Sequence, residues 1–139
     1  MMTEQTGERY RILVGYDGTR TAKEALNVAL FHAQHLHAEV HVVWSLMGGQ
    51  NTSLEEIDTA RDGLQHAQSL FAKAHIPCET HLLIRGLSPG EDLVRFAEEH
   101  AVGEVIIGVR RRSQVGKLLF GSTARYVILN APCPVVSVK

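Results

Sequence analysis

The sequence predicts an α/β protein built on an open, doubly wound, five-stranded parallel sheet with helices on both faces. Short β-branched runs alternate with longer segments of helical periodicity, in the order β-α-β-α-β-α-β-α-β. The strands are continuous apolar runs rather than alternating ones, as expected of strands covered on both faces. Parallel strands need crossover connections, and right-handed crossovers place the helices on the two faces.

The elements follow in chain order. Arg11 to Gly15 (RILVG) reads as a buried strand. Thr21 to His37 reads as a helix with Ala22, Ala25, Leu26, Ala29, Ala33 and Leu36 on one face, and Thr21 and Glu24 have capping-box spacing. Val40 to Trp44 is the second strand, and Ser45 to Ser53, with Gly48 and Gly49, is a long polar loop. Leu54 to His75 is the second helix, with Leu54, Ile57, Leu64, Ala67, Phe71 and Ala74 as its apolar stripe, and Pro77 stops it. Glu79 to Ile84 is the third strand. Ser88, Pro89 and Glu91 supply a cap, a first-turn proline and a reciprocal carboxylate for a helix running to about His100. Val105 to Gly108 is the fourth strand. A basic, glycine-punctuated loop leads to a last helix from Ser122 to Asn130, and Val135 to Val138 closes the sheet.

A chain of 139 residues fits one domain and buries a core without disulfide or metal support. Hydrophobic residues at 45% and charged residues at 21% are the balance of a globular protein. A formal charge of -1 gives no general attraction to nucleic acid or an anionic membrane. Cys78 and Cys133 lack CxxC or zinc-type spacing and read as free thiols. No apolar run is long enough to span a bilayer, and MMTEQTGERY has no signal-peptide core, so a cytoplasmic location is expected. Residues 1–8 read as a flexible lead-in and 9–139 as the domain.

In such sheets ligands bind beyond the carboxyl ends of the strands, where the strand order reverses. The first strand ends in Gly15-Tyr16-Asp17-Gly18, and the fourth in Gly108 and the segment GVRRRSQVGKLLFGS. Asp17 can accept hydrogen bonds from a ribose hydroxyl or an amine, or help hold a metal. Taken alone, it reads first as a turn or helix-cap residue beside Gly18. Gly108 permits close backbone approach, and Gly121-Ser122 opens a helix whose free N–H groups and dipole attract anions. Arg110, Arg111, Arg112 and Lys117 can pair with phosphates; the bland alternative is a solvated basic loop and a serine cap.

Several chemistries are excluded by spacing. Gly116-Lys117 precedes Leu118, and Arg111 stands where the first Walker A glycine belongs. There is no GxGxxG after the first strand and no GxSxG elbow. The eight histidines form no recognised metal spacing and read as exposed, while Tyr16 and Trp44 read as packing groups.

From about Arg9 to Lys139 the chain resembles the universal stress protein family. The matching parts are ILVGYDGT with its alanine-rich helix, VHVVW, the RG after the third strand, VIIG and GKLLFGSTARYVILNAPCPVVSVK. Nucleotide-binding members carry G-x2-G-x9-G-[ST]. Here Gly108, Gly121 and Ser122 match, and Arg111 replaces the middle glycine. The resemblance implies ATP or another adenine nucleotide with Mg²⁺, and no catalytic residues. By the same resemblance Asp17 faces the ribose or a nucleotide-bound Mg²⁺, and the Val43 backbone reads the adenine edge. Gly86 lies near the ribose; Gly108, Gly121, Ser122 and Thr123 surround the phosphates. A homodimer through the last strand and a stress-response role are also implied, with no nucleic-acid or membrane partner. The competing readings are a dimeric interaction protein with a degenerate site, which Arg111 keeps open, and a slow nucleotide hydrolase, for which Asp17 is the only visible base.

Overall fold

The computed structural model describes residues 8–109 and 120–139. Five strands and four helices alternate: β1 Arg11–Gly15, α1 Arg20–Leu36, β2 Glu39–Leu46, α2 Leu54–Lys73, β3 Cys78–Ile84, α3 Pro89–Glu99, β4 Glu104–Gly108, α4 Ser122–Asn130 and β5 Val135–Val138. The strand order is β3-β2-β1-β4-β5, and every pairing is parallel. The chain winds outward from β1 to β3, then crosses back to lay β4 on the other side of β1. The reversal therefore falls between β1 and β4.

Alternation along the strands divides the core in two. Ile12, Val14, Val40, Val42 and Ile106 pack on one face with the alanine stripe of α1 and Leu64, Ala67 and Phe71 of α2. Leu13, Val43, Val105 and Ile107 pack on the other with Leu93, Val94 and Phe96 of α3 and Ala124 and Val127 of α4. Small α1 residues let that helix lie close over the central strands; both faces are covered, which is why the strands read as unbroken apolar runs.

Local chemistry sets the helix ends. Ser53 and Glu56 cap α2 reciprocally. The Glu91 carboxylate accepts hydrogen bonds from the Ser88 N–H at 3.3 Å and its hydroxyl at 2.9 Å at the start of α3. The expected Thr21–Glu24 box is replaced: α1 begins one residue earlier, and Thr19 caps it by accepting from the Ala22 N–H at 3.3 Å. His37 ends α1 at φ 52°, in the left-handed region. The strand β2 is longer than expected because pairing with β3 continues to Leu46↔Ile84. The apolar stripes are shorter than expected. Leu36 and Leu54, in terminal turns that overrun the sheet, are 49% and 80% exposed.

Two polar clusters lie inside this framework. Asp92 of α3 is fully buried; it takes hydrogen bonds from Arg85 Nε at 2.5 Å and Ser45 Oγ at 2.7 Å, tying α3 to β2 and the end of β3. His41 is also buried, contrary to the expectation of exposed histidines, because its odd position on β2 aims it at α3. It touches His81 of β3. Burial first, and His41 next, lower the His81 pKa below its ordinary value. Both cysteines are free; burial, then the Glu79 charge, pushes the Cys78 thiol up to about 12 and away from thiolate chemistry.

Candidate nucleotide site at the strand-order reversal

A pocket of about 330 Å³ opens where β1 and β4 part at their carboxyl ends. It brings together six of the eight residues expected from sequence: Asp17, Val43, Gly108, Gly121, Ser122 and Thr123. Gly86 is not among its lining residues. It follows the edge strand β3, which β2 separates from β1, and its N–H is spent on the Met47 carbonyl at 3.0 Å. Arg111 lies outside the described residues, with Arg110, Arg112 and Lys117.

The donor end of the pocket is the start of α4. Gly121 is the cap position, and no side chain among the described residues caps it. The first helical bond runs from Arg125 N to Gly121 O at 3.0 Å, so the N–H groups of Ser122, Thr123 and Ala124 have no intrahelical acceptor. All three residues line the pocket. The helix is held there by α3. A side chain on Gly90 would meet the Tyr126 Cβ at 2.8 Å, so glycine at 90 allows α4 to lie against the start of α3 beside Pro89.

Opposite is Asp17, at the end of β1. Its Oδ1 accepts from the Thr19 N–H at 3.0 Å and the Thr19 hydroxyl at 2.6 Å. The turn role is therefore realised, and through Thr19 it sets the cap of α1. The second carboxylate oxygen takes no hydrogen bond from the described residues and stays with an exposed side chain. Tyr16 is buried against Trp44 with ring centroids 5.6 Å apart, and burial, then Asp17, raises its pKa.

Between these ends Val43, Leu93, Ile107 and Pro89 supply an apolar part of the wall, beside the hydroxyl-bearing Thr21 and Ser45. The Val43 carbonyl already accepts the Tyr16 N–H at 2.9 Å, so one lone pair remains for a ligand. Gly108 has a structural reason beyond ligand access. A Cβ there would lie 2.6 Å from the Thr21 backbone carbon and 2.8 Å from the Ala22 nitrogen, so glycine lets the first turn of α1 close over β4.

Sequence reasoning missed Thr19, Thr21, Ser45, Pro89 and Leu93 as lining residues. Thr19 and Thr21 followed Asp17 closely enough to be found. Ser45 and Leu93 reach the pocket only through strand and helix packing, which no local pattern announces.

Fold and site together define a doubly wound α/β protein with a pocket at its strand-order reversal that the start of α4 lines. The chain belongs to the universal stress protein family, whose family model matches residues 8–139. It is similar to a universal stress protein of known structure from Archaeoglobus fulgidus, with 41% identity over 94% of this chain and 98% of that one and a TM-score of 0.87. A structure of the universal stress protein from the same organism, in complex with dAMP, shares 37% identity over 94% and 98% of the two chains, with a TM-score of 0.81. The Thermus aquaticus "universal stress protein in QAH/OAS sulfhydrylase 3'region" is 31% identical over 92% of this chain and 97% of its own length. No helix among the described residues is long and apolar enough to cross a membrane.

Proposed function

We propose that this protein binds an adenine nucleotide, ATP with Mg²⁺, as a non-catalytic, nucleotide-responsive homodimer of the stress response in the cytoplasm. The observation that carries the reading is the start of α4, uncapped by any side chain among the described residues, lining the same partly apolar pocket as Asp17. The three N–H groups, which have no partner among the described residues, suit a phosphate, the apolar part of the wall suits a purine, and the relative in complex with dAMP supports an adenine ligand. One carboxylate with neighbouring hydroxyls suits Mg²⁺ held chiefly by phosphates and water. Asp17 would reach it from the far wall. Gly86 is assigned to the ribose side by the family resemblance and does not itself line the pocket.

Arg111 is assigned to the phosphates, where the family motif has glycine. Calorimetry with nucleotide-free protein tests both points. The parent is expected to show saturable MgATP binding. Arg111→Ala is expected to weaken ATP about ten- to a hundredfold, through loss of a charge-assisted pair of roughly 1.5–3 kcal/mol, and adenosine much less. An Arg111→Gly variant that binds ATP more tightly than the parent would show that the arginine only obstructs. It would favour the second reading, a dimeric interaction protein with a degenerate site.

The dimer is assigned to the outer edge of β5, which pairs with no further strand among the described residues, with Leu129 of α4 exposed on the helix beside it. The ladder decides which residue to test. Val105 N–H bonds to the Pro134 carbonyl and Val109 N–H to that of Val138, so Pro134, Val136 and Val138 turn their backbone groups toward β4. Val136 is therefore the wrong site for an edge-breaking proline; Val135 and Ser137 carry the outward N–H groups. Ser137→Pro is expected to shift the protein toward monomer in light scattering with its melting transition retained. An unchanged dimer mass would place the interface elsewhere.

A further inference from the structure

We infer that His41, Glu79 and His81 form a binding site for a divalent ion of the zinc class, separate from the nucleotide pocket. His41 lies on β2 directly opposite Glu79 of the edge strand β3, and His81 is the next residue of β3 on the same face. Their potential ligand atoms make a compact triangle: His41 Nδ1 to His81 Nε2 is 3.1 Å, His41 Nδ1 to Glu79 Oε1 is 3.8 Å, and His81 Nε2 to Glu79 Oε1 is 3.6 Å. The circle through three such points has a radius of about 2.0 Å, which is the length of a zinc–imidazole or zinc–carboxylate bond. An ion can therefore touch all three atoms with little movement of the strands.

The surroundings fix the imidazole that matters most. His41 Nε2 lies 2.7 Å from the Glu39 carboxylate, so its N–H donates there and the Nδ1 lone pair is left for the metal. This is the carboxylate–histidine support that orients metal-bound imidazoles. Glu39 is held in turn by Arg11 Nε at 3.4 Å. Phe96 of α3 closes the inner side, 4.8 Å from the His81 ring, while the exposed Glu79 side chain leaves the outer side to water as a fourth ligand. Without metal, the His81 Nε2–H donates to His41 Nδ1; binding the ion uses the other neutral tautomer of His81, in which the proton is exchanged through solvent from Nε2 to Nδ1 and the Nε2 lone pair faces the ion, with no net proton release. Such an ion clips edge strand β3 to β2 and stabilises the folded chain by mass action.

The test is a titration of the metal-stripped full chain with Co²⁺, without nucleotide, followed by displacement with Zn²⁺. One equivalent is expected to develop the intense visible absorption of tetrahedral Co²⁺, and saturating Zn²⁺ is expected to raise the melting temperature. Glu39→Gln is expected to weaken uptake about ten- to a hundredfold. His81→Asn is expected to abolish both signals, and the exposed Glu79→Gln to weaken them without loss of fold by circular dichroism. A weak octahedral spectrum, uptake unaltered by both His81→Asn and Glu79→Gln, or a thiolate charge-transfer band placing the ion on Cys78 or Cys133 would overturn the assignment.

Discussion

Replacing Ser122 with aspartate is expected to cost ATP affinity about a hundredfold while leaving adenosine binding within about threefold. Ser122 is the first residue of α4, and its side chain is exposed, so the carboxylate needs no burial. A negative charge in a first helical turn stabilises the helix by about 0.3–1 kcal/mol, so folding is retained or improved. The same charge faces the space assigned to the phosphates. Two unit charges about 4 Å apart repel by about 4 kcal/mol in the effective dielectric near a protein surface, and screening leaves roughly two-thirds of that. Calorimetry with ATP and adenosine reads the difference. Equal losses for the two ligands, or none for either, would remove the start of α4 from the phosphate site.

Gly108→Ala is expected to lower the melting temperature by roughly 10 °C, as an overpacking cost of about 3 kcal/mol. The added methyl would meet backbone atoms of Thr21 and Ala22, which cannot swing aside as a side-chain tip can. Moving α1 also moves Thr19 and Asp17, so nucleotide affinity falls with stability. Melting without nucleotide separates the two roles of this glycine. An unchanged melting temperature with lost ATP binding would mean that Gly108 serves the ligand alone and that α1 tolerates the methyl.

The fold was legible because each strand is short, apolar and bounded by a helical period, and the order of elements leaves a parallel sheet as the direct solution. Boundaries were less legible because they depend on partners. Nothing within Val40 to Trp44 says that the strand continues to Leu46; the pairing with Ile84 does. The α1 cap passed from Thr21 to Thr19 because Asp17, two residues earlier, fixes the turn. At the site, Asp17 and the Gly108, Gly121 and Ser122 series were visible as strand-end and helix-start chemistry. Gly86 was assigned to the ribose by resemblance alone; it follows the edge strand β3 and is not among the residues that line the pocket. The Ser45–Asp92–Arg85 network around the buried Asp92 left no mark in sequence, because its members come from β2, α3 and the turn after β3. The histidine cluster did leave one: Glu39-Val40-His41 and Glu79-Thr80-His81 repeat an E-x-H pattern that becomes one site once β2 and β3 pair.

The most direct measurement of the central claim is amide NMR of the ¹⁵N-labelled, nucleotide-free protein titrated with MgATP. The N–H groups of Ser122, Thr123 and Ala124 are expected to shift together and saturably, with Thr19 moving in step across the pocket. Adenosine should move the residues around Val43 and Leu93 while leaving the start of α4 nearly still. No saturable shift at α4 with millimolar MgATP, or shifts confined to another face of the sheet, would contradict the account.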